Sequence, residues 1–312
     1  MRRISRALDG TAVYLLLGIQ GNSVEDNRSI SNYCACFIDL LGQKDALKGQ
    51  GVLPVFENEE HEKEFYKVVS ESVGTIEKLQ MQAEEFRQKS TSTYSIRDQL
   101  SSGEQELYDE MKKATAKQQR WSDGLVFYCS LENRTIKCPM NAMYEIFLLS
   151  GILCFLGLAN KKPIRGAIEI SWGVELHDNE LYGAVVANSY ELESKVAQYP
   201  RIVIGQETIN FLNSYLAEPE DVEDKLFSYN RNLAQTCLNM TAIDQDGFYV
   251  LNYLGNEFTQ NVTHNVSKEL YKLAFSFICE QLEFHRSNRN TKLALRYTWL
   301  KGYFSNNSEL HA

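Results

Sequence analysis

The chain has no Cys-x-x-Cys pair, and its five histidines, His61, His177, His264, His285 and His311, are scattered. That argues against a zinc site, which needs ligands at short, paired spacing. Its seven cysteines (Cys34, Cys36, Cys129, Cys138, Cys154, Cys237 and Cys279) are odd in number and irregularly spaced. They read as free thiols packed as small hydrophobes in a reducing cytoplasm, not as a disulfide framework. Positive charge is scarce too. The formal net charge of −9 argues against nonspecific binding to nucleic acid or to an anionic membrane. A nucleotide substrate stays open, because a bound metal reverses the local field. There is no internal repeat, low-complexity tract or Gly/Ser-rich linker, which favours a compact extension over a tethered second domain.

Long hydrophobic runs are also few. Residues 12–19 follow Met1-Arg2-Arg3, but the apolar run is only eight residues, Asp9 precedes it and no clean small-residue cleavage site follows. A secretory signal is not expected, and a cytoplasmic location is. Residues 142–159 are near the lower length limit for a membrane span and include Glu145 and Ser150. With Pro139 suiting a helix start and Lys161-Lys162-Pro163 a stop, they read as a core or interface helix without stable membrane insertion.

What is present is ordinary in bulk: 312 residues, 44% hydrophobic and 23% charged, enough for one large or two small domains with a substantial core. Residues 32–39 read as a buried strand ended by Gly42, with a short helix beginning near Lys44. Within 57–89, Phe65, Val69, Val73, Ile76, Leu79 and Phe86 recur near the helical period, which predicts an amphipathic helix. Residues 91–102 are loop-like, and 104–118 return to a helical pattern. A strand at 124–131 precedes the apolar helix. Residues 164–172 alternate as a strand, 185–197 read as a helix, and 201–205 as a strand. From Gln206 the pattern is mostly helical, with a strand-like insert at 247–251 and terminal helices at 262–286 and 292–304. Strands and helices mix without regular βα repeats, so the expected fold is α+β, a sheet with helices on one face.

Two segments hold the candidate chemistry: Cys36-Phe37-Ile38-Asp39-Leu40-Leu41-Gly42 and Trp121-Ser122-Asp123-Gly124-Leu125-Val126-Phe127-Tyr128. Each sets one aspartate at the edge of an apolar β-type run. If those strands are neighbours, both carboxylates project from one sheet edge and offer hard oxygen ligands to divalent cations.

This arrangement resembles the catalytic domain of class III nucleotidyl cyclases. Their first strand ends Phe-x-Asp-[Ile/Leu/Phe]-x-Gly, matched by residues 37–42. Their second aspartate lies at the bend of a β-hairpin, matched by Asp123, and their aromatic-Gly before a helix is matched by Tyr182-Gly183. The resemblance covers about residues 30–215. The stretches 163–168, 182–184, 190–193 and 199–203, with Arg296-Tyr297-Thr298-Trp299-Leu300, are similar to the bacterial branch that contains the pyrimidine cyclases of the Pycsar antiphage defence system. It implies a class III cyclase-type (ferredoxin-like) antiparallel sheet in a catalytic domain at 30–215, with a helical insertion at about 57–118. Residues 1–29 would then form an N-terminal segment and 216–312 a mostly helical C-terminal extension packed on that domain.

The resemblance also implies a mechanism. Asp39 and Asp123, with the Leu40 carbonyl, would hold two Mg²⁺ or Mn²⁺ ions, and backbone amides over 41–44, including Gly42, Gln43 and Lys44, would cradle the triphosphate. UTP or CTP would be cyclised by a head-to-tail homodimer with composite sites, and a downstream effector would sense the cyclic nucleotide rather than the protein. Two departures stand out. The family's helical Asn and Arg positions hold Ala187 and Glu191, leaving Arg165, Lys195 and Arg201 as candidate sources of positive charge. The base-reading positions hold Gln119 and Glu180, with Arg120 nearby; an amide suits a pyrimidine edge. A purine cyclase and a non-catalytic cyclase-like signalling module are the alternatives.

Overall fold

A computed structural model of the protein describes residues 30–41, 55–90, 95–113, 115–121, 124–132, 140–177, 179–217, 224–262 and 268–307. It is an α+β fold built on a mixed, mostly antiparallel open sheet of eight strands. The first strand, β1 (Ser31–Leu40), lies between β3 (Gly124–Ser130) and β4 (Ile164–His177), antiparallel to both. β2 (Lys117–Trp121) pairs with β3. On the other side β4 pairs in parallel with β6 (Ile202–Ile204), which leads to β8 (Tyr249–Leu251) and β7 (Thr241–Ile243), while β5 (Glu180–Tyr182) folds back on the end of β4. The resulting order is β2-β3-β1-β4-β6-β8-β7.

β1 is apolar on both sides because both of its faces are covered. Cys34, Cys36, Ile38 and Leu40 join the large core around helix α3 (Met140–Ala159), whereas Tyr33, Ala35 and Phe37 pack with Val185 and Val186 of helix α4 (Ala184–Lys195). The expected single helical face is therefore corrected: α3 and α4 cover opposite faces. Helix α3 is apolar all round, as a fully enclosed helix must be. By length and composition it would span a membrane, yet 89% of its apolar window is buried inside the fold. Cys34, Cys36, Cys129, Cys154 and Cys237 are buried as well, and burial pushes the Cys36 thiol up to about 12.

Helix α1 (Glu59–Ser90) occupies the charged amphipathic stretch, and a short 3₁₀ turn (Arg97–Gln99) leads to α2 (Ser102–Lys113). The helix expected over 104–118 stops earlier, because residues 117–121 are held in register by β3. Beyond β6 come α5 (Gln206–Ala217), α6 (Lys225–Asn239), α7 (Asn256–Asn261), α8 (Lys268–Ser287) and α9 (Thr291–Asn306). The strand-like insert expected at 247–251 is one arm of a β7–β8 hairpin that lengthens the main sheet. Ala234, Phe258, Phe277 and Phe304 from this region join the same core as α3.

One glycine of the aromatic-Gly pair is dictated by backbone and space together. Gly183 has φ +139°, and a Cβ there would come within 2.7 Å of Gly173 Cα. It lets the chain turn from β5 into α4 against the edge of β4. The buried Glu169 on β4 closes the start of α5: its Oε1 accepts from the Ile170 N–H at 2.8 Å, and from the Thr208 N–H and hydroxyl at 3.2 Å each. Gly205 leaves the room, since a Cβ there would lie 2.0 Å from Glu169 Oε2. Burial pushes the Glu169 carboxyl above its usual range, and those donors pull it only partly back. A carboxyl raised in the folded state contributes stability below its unfolded pKa, about 4.3, that is lost as pH rises through the folded value. Glu169→Gln keeps the acceptor but cannot ionise. Urea unfolding from pH 4 to 8 is expected to show the variant gaining on the wild type as pH rises; a stability difference that does not change with pH would refute the assignment.

Candidate active site

The site forms where β1 ends. In the register of the sheet Asp39 stands opposite Gly124 of β3 on one side and Arg165 of β4 on the other. Asp123 itself lies outside the described residues, but it is bonded to the residue that pairs with Asp39. Trp121 pairs with Gly124 across the β2–β3 hairpin. The expected hairpin and the expected strand neighbours are both present.

Around Asp39 the charges are ordered. Arg165 Nη2 donates to Asp39 Oδ2 at 3.4 Å, and its Nε pairs with the carboxylate of Glu193 on α4. Side-chain exposures are 23% for Asp39, 19% for Arg165 and 1% for Glu193. One guanidinium between two carboxylates leaves the trio with a net negative charge facing the open strand end. A divalent cation fits that balance, and an aspartate at 123 would add to it. Among the described residues no group of three or more His, Cys, Asp or Glu side chains is placed to hold a metal, so a cation here would rest on Asp39 together with position 123 and backbone oxygen.

The other expected residues are placed as follows. Leu40 is buried, and the Leu41 N–H donates to the Pro163 carbonyl at 2.9 Å. That amide is therefore committed to the sheet and corrects its expected part in a phosphate cradle; Gly42, Gln43 and Lys44 lie outside the described residues. Gln119 Oε1 accepts from the Leu181 N–H at 2.9 Å, which joins β2 to β5. Glu180, the neighbour of Leu181, is exposed, and so is Arg120. Close by, Lys117 Nζ reaches Glu175 at 2.6 Å and Tyr128 donates to the same carboxylate at 3.0 Å. Burial alone would raise the Glu175 carboxyl; Lys117, the Asn179 N–H and Tyr128 hold it below its usual range.

The three candidate bases separate cleanly. Arg165 touches Asp39. Lys195 is 72% exposed and pairs with Glu191 at 2.5 Å. Arg201 is enclosed: it contacts Asp244 at 2.6 Å and Asp246 at 2.5 Å, donates to the Val196 carbonyl at 2.8 Å, and lies 4.5 Å from the Tyr199 ring centroid. It ties the start of β6 to the β7–β8 turn and to α9, where Trp299 packs on Tyr199. Sequence reasoning assigned no role to Glu193. The signal was there: Val185, Val186, Ser189 and Glu193 repeat at helical spacing, so Glu193 faces inward and a buried carboxylate requires a partner.

Compared with known proteins, the chain matches no family model and no curated sequence.

Removing one partner of an enclosed ion pair leaves the other charge uncompensated. Arg201→Met is expected to lower stability by about 3 kcal/mol and Lys195→Met by less than about 0.5 kcal/mol, both measured by urea unfolding. Equal effects would contradict the contrast drawn here.

Proposed function

We propose that the chain is a nucleotidyl cyclase of the class III type, converting UTP or CTP to the 3′,5′-cyclic monophosphate and pyrophosphate. The observation that carries this reading is the pairing of Asp39 with Gly124, the residue bonded to Asp123. The order β4-β1-β3-β2, with helices between β1 and β2 and between β3 and β4, supports it, since this is the connectivity of a ferredoxin-like unit. The resemblance of residues 37–42, 123 and 182–183 to the family supplies the reaction.

Asp39, Asp123 and the Leu40 carbonyl are the groups that would hold Mg²⁺ or Mn²⁺; the chemistry such ions supply when bound is Lewis-acid activation and charge neutralisation. In the reaction the ribose 3′-oxygen gives its proton to solvent and bonds to the α-phosphorus. The bond to the β-phosphate bridging oxygen breaks, and pyrophosphate leaves with the electron pair. Arg165 is the positively charged side chain held beside this centre. Glu193 fixes its Nε, so Nη2 stays at the mouth of the site with positive charge for the α-phosphate. Gln119 uses its carbonyl oxygen on Leu181, which leaves its amide N–H groups to donate to a pyrimidine carbonyl. Trp172, Tyr182 and Tyr190 expose 48%, 63% and 53% of their surface on and beside α4. Covering them in a homodimer supports composite sites. A cyclic nucleotide product sensed by a separate effector in antiphage defence completes the reading.

Incubation of the pure protein with each of the four NTPs and Mn²⁺ tests it. UTP or CTP is expected to be converted at least about tenfold faster than ATP or GTP, a discrimination that polar base contacts can supply. Asp39→Asn and Asp123→Asn are expected to abolish turnover while leaving the unfolding midpoint within a few degrees. Full activity in either variant would end the two-carboxylate assignment, and preferential conversion of ATP or GTP would return the purine alternative.

Gln119→Ala should narrow the gap between pyrimidine and purine rates without changing the Mn²⁺ concentration for half-maximal activity. An unchanged preference would remove Gln119 from base reading.

A further inference from the structure

Beside the C-terminal end of α4, the β7–β8 turn and α9 enclose a groove of about 460 Å³. Its walls combine rings and bases: Phe248 and Trp299, with Lys195, Arg201, Lys292 and Arg296. Lys195 is paired with Glu191, and Arg201 lies between Asp244 and Asp246, the second of which also lines the groove, so that those three carry a net negative charge. Among the described residues Lys292 has no acidic partner, and Arg296 donates only to the neutral Gln198 Oε1, at 3.1 Å. Burial, and then the like charge of Arg165, hold the Arg296 guanidinium below its usual range. Lys292 stands in the first turn of α9, which has no acidic residue, so its charge adds to the positive end of the helix dipole. In a chain of net charge −9, two bases without acidic partners at a partly enclosed, aromatic-lined groove leave it a surplus of positive charge even with Asp246 in its wall.

The size and lining define the ligand further. The volume lies in the range of small-molecule sites. Phe248 is 42% exposed at the rim and offers a face on which a planar ring can stack. We propose that this groove binds a nucleoside phosphate, with the phosphate on Lys292 and Arg296 and the base against Phe248 and Trp299, at a site separate from the Asp39 carboxylate. Charge-assisted contacts from an arginine fork and a lysine suit phosphate oxygens, and ring stacking accepts any base. The proposal does not depend on the catalytic reading.

The test uses the full chain in EDTA, so that binding needing a divalent cation is silent, with UMP, inorganic phosphate and pyrophosphate as probes in isothermal titration calorimetry. Saturable binding of UMP is expected, with inorganic phosphate at least about tenfold weaker for want of the ring. Asp39→Asn should retain saturable UMP binding. Arg296→Gln and Lys292→Gln, each checked for an unchanged unfolding midpoint, should weaken it about tenfold or more; Lys292 is exposed, so that variant keeps the test valid if Arg296→Gln fails to fold. Absence of saturable UMP binding overturns the proposal, and so does equal affinity for UMP and phosphate or affinity untouched by both substitutions. Loss of binding in Asp39→Asn would assign the ligand to the Asp39 site instead, which also overturns it.

Discussion

The register of β1 is the constraint on which the rest depends. All ten residues of this strand are paired to β4 and seven of them, 33–39, to β3 as well, and alternate residues enter two different cores. A slip of one residue would turn Cys34, Cys36 and Ile38 toward α4 and drive Asp39 into the apolar layer under α3. Burying an unpaired carboxylate there costs several kcal/mol. The core therefore holds Asp39 at the open end of the strand, opposite Gly124, and the candidate chemistry inherits its precision from packing that lies well away from it.

The two faces of the sheet divide the work. The α3 face is almost wholly apolar, and its helix carries no net amphipathic side. The α4 face is laced with charge: Glu193 on Arg165, Glu175 with Lys117 and Tyr128, Glu169 at the start of α5, and Arg201 between two aspartates. Glu169 and Glu175 accept from N–H or O–H donors of their own, as burial requires. These pairs cost desolvation and repay it only when complete. What they supply is position, and they sit around the strand ends where position matters.

Much of this was legible in the amino-acid sequence wherever a pattern ran long enough. The strand at 32–39, the amphipathic helix within 57–89 and the apolar helix from Met140 each repeat their period several times. Short elements carry no such signal. β6, β7 and β8 have three residues each, too few to show alternation, so the hairpin that widens the sheet was read as a helical region with an insert. Residues 117–121 looked like the tail of a helix because Leu107, Met111 and Ala114 set that period, and only pairing with β3 overrides it. The placement of α4 was hidden because one sheet face cannot be told from the other along a single strand buried on both. In the candidate site, the neighbouring of the two strand ends was a condition the sequence posed, and the register of Asp39 with Gly124 meets it. Arg165 was one of three equal bases until Glu193 distinguished it, and the commitment of the Leu41 amide to Pro163 depends on a strand neighbour remote in sequence.

Arg165 also joins regions that the sequence kept apart. It touches Asp39 at one end of the α4 face, and its charge is felt by Arg296 in the groove lined by α9. A cation at Asp39 would repel Arg165, while an anion beside Arg296 would relieve the crowding of the two guanidiniums. Whatever free energy passes between these positions through Arg165 must act equally in both directions, because coupling between two binding equilibria is reciprocal. The physical basis is simple electrostatics across a partly dry face, where charges are screened less than at an open surface. The C-terminal helices are thus more than a cover for the core: through α9 they set Lys292 and Arg296 in a groove shared with the end of α4.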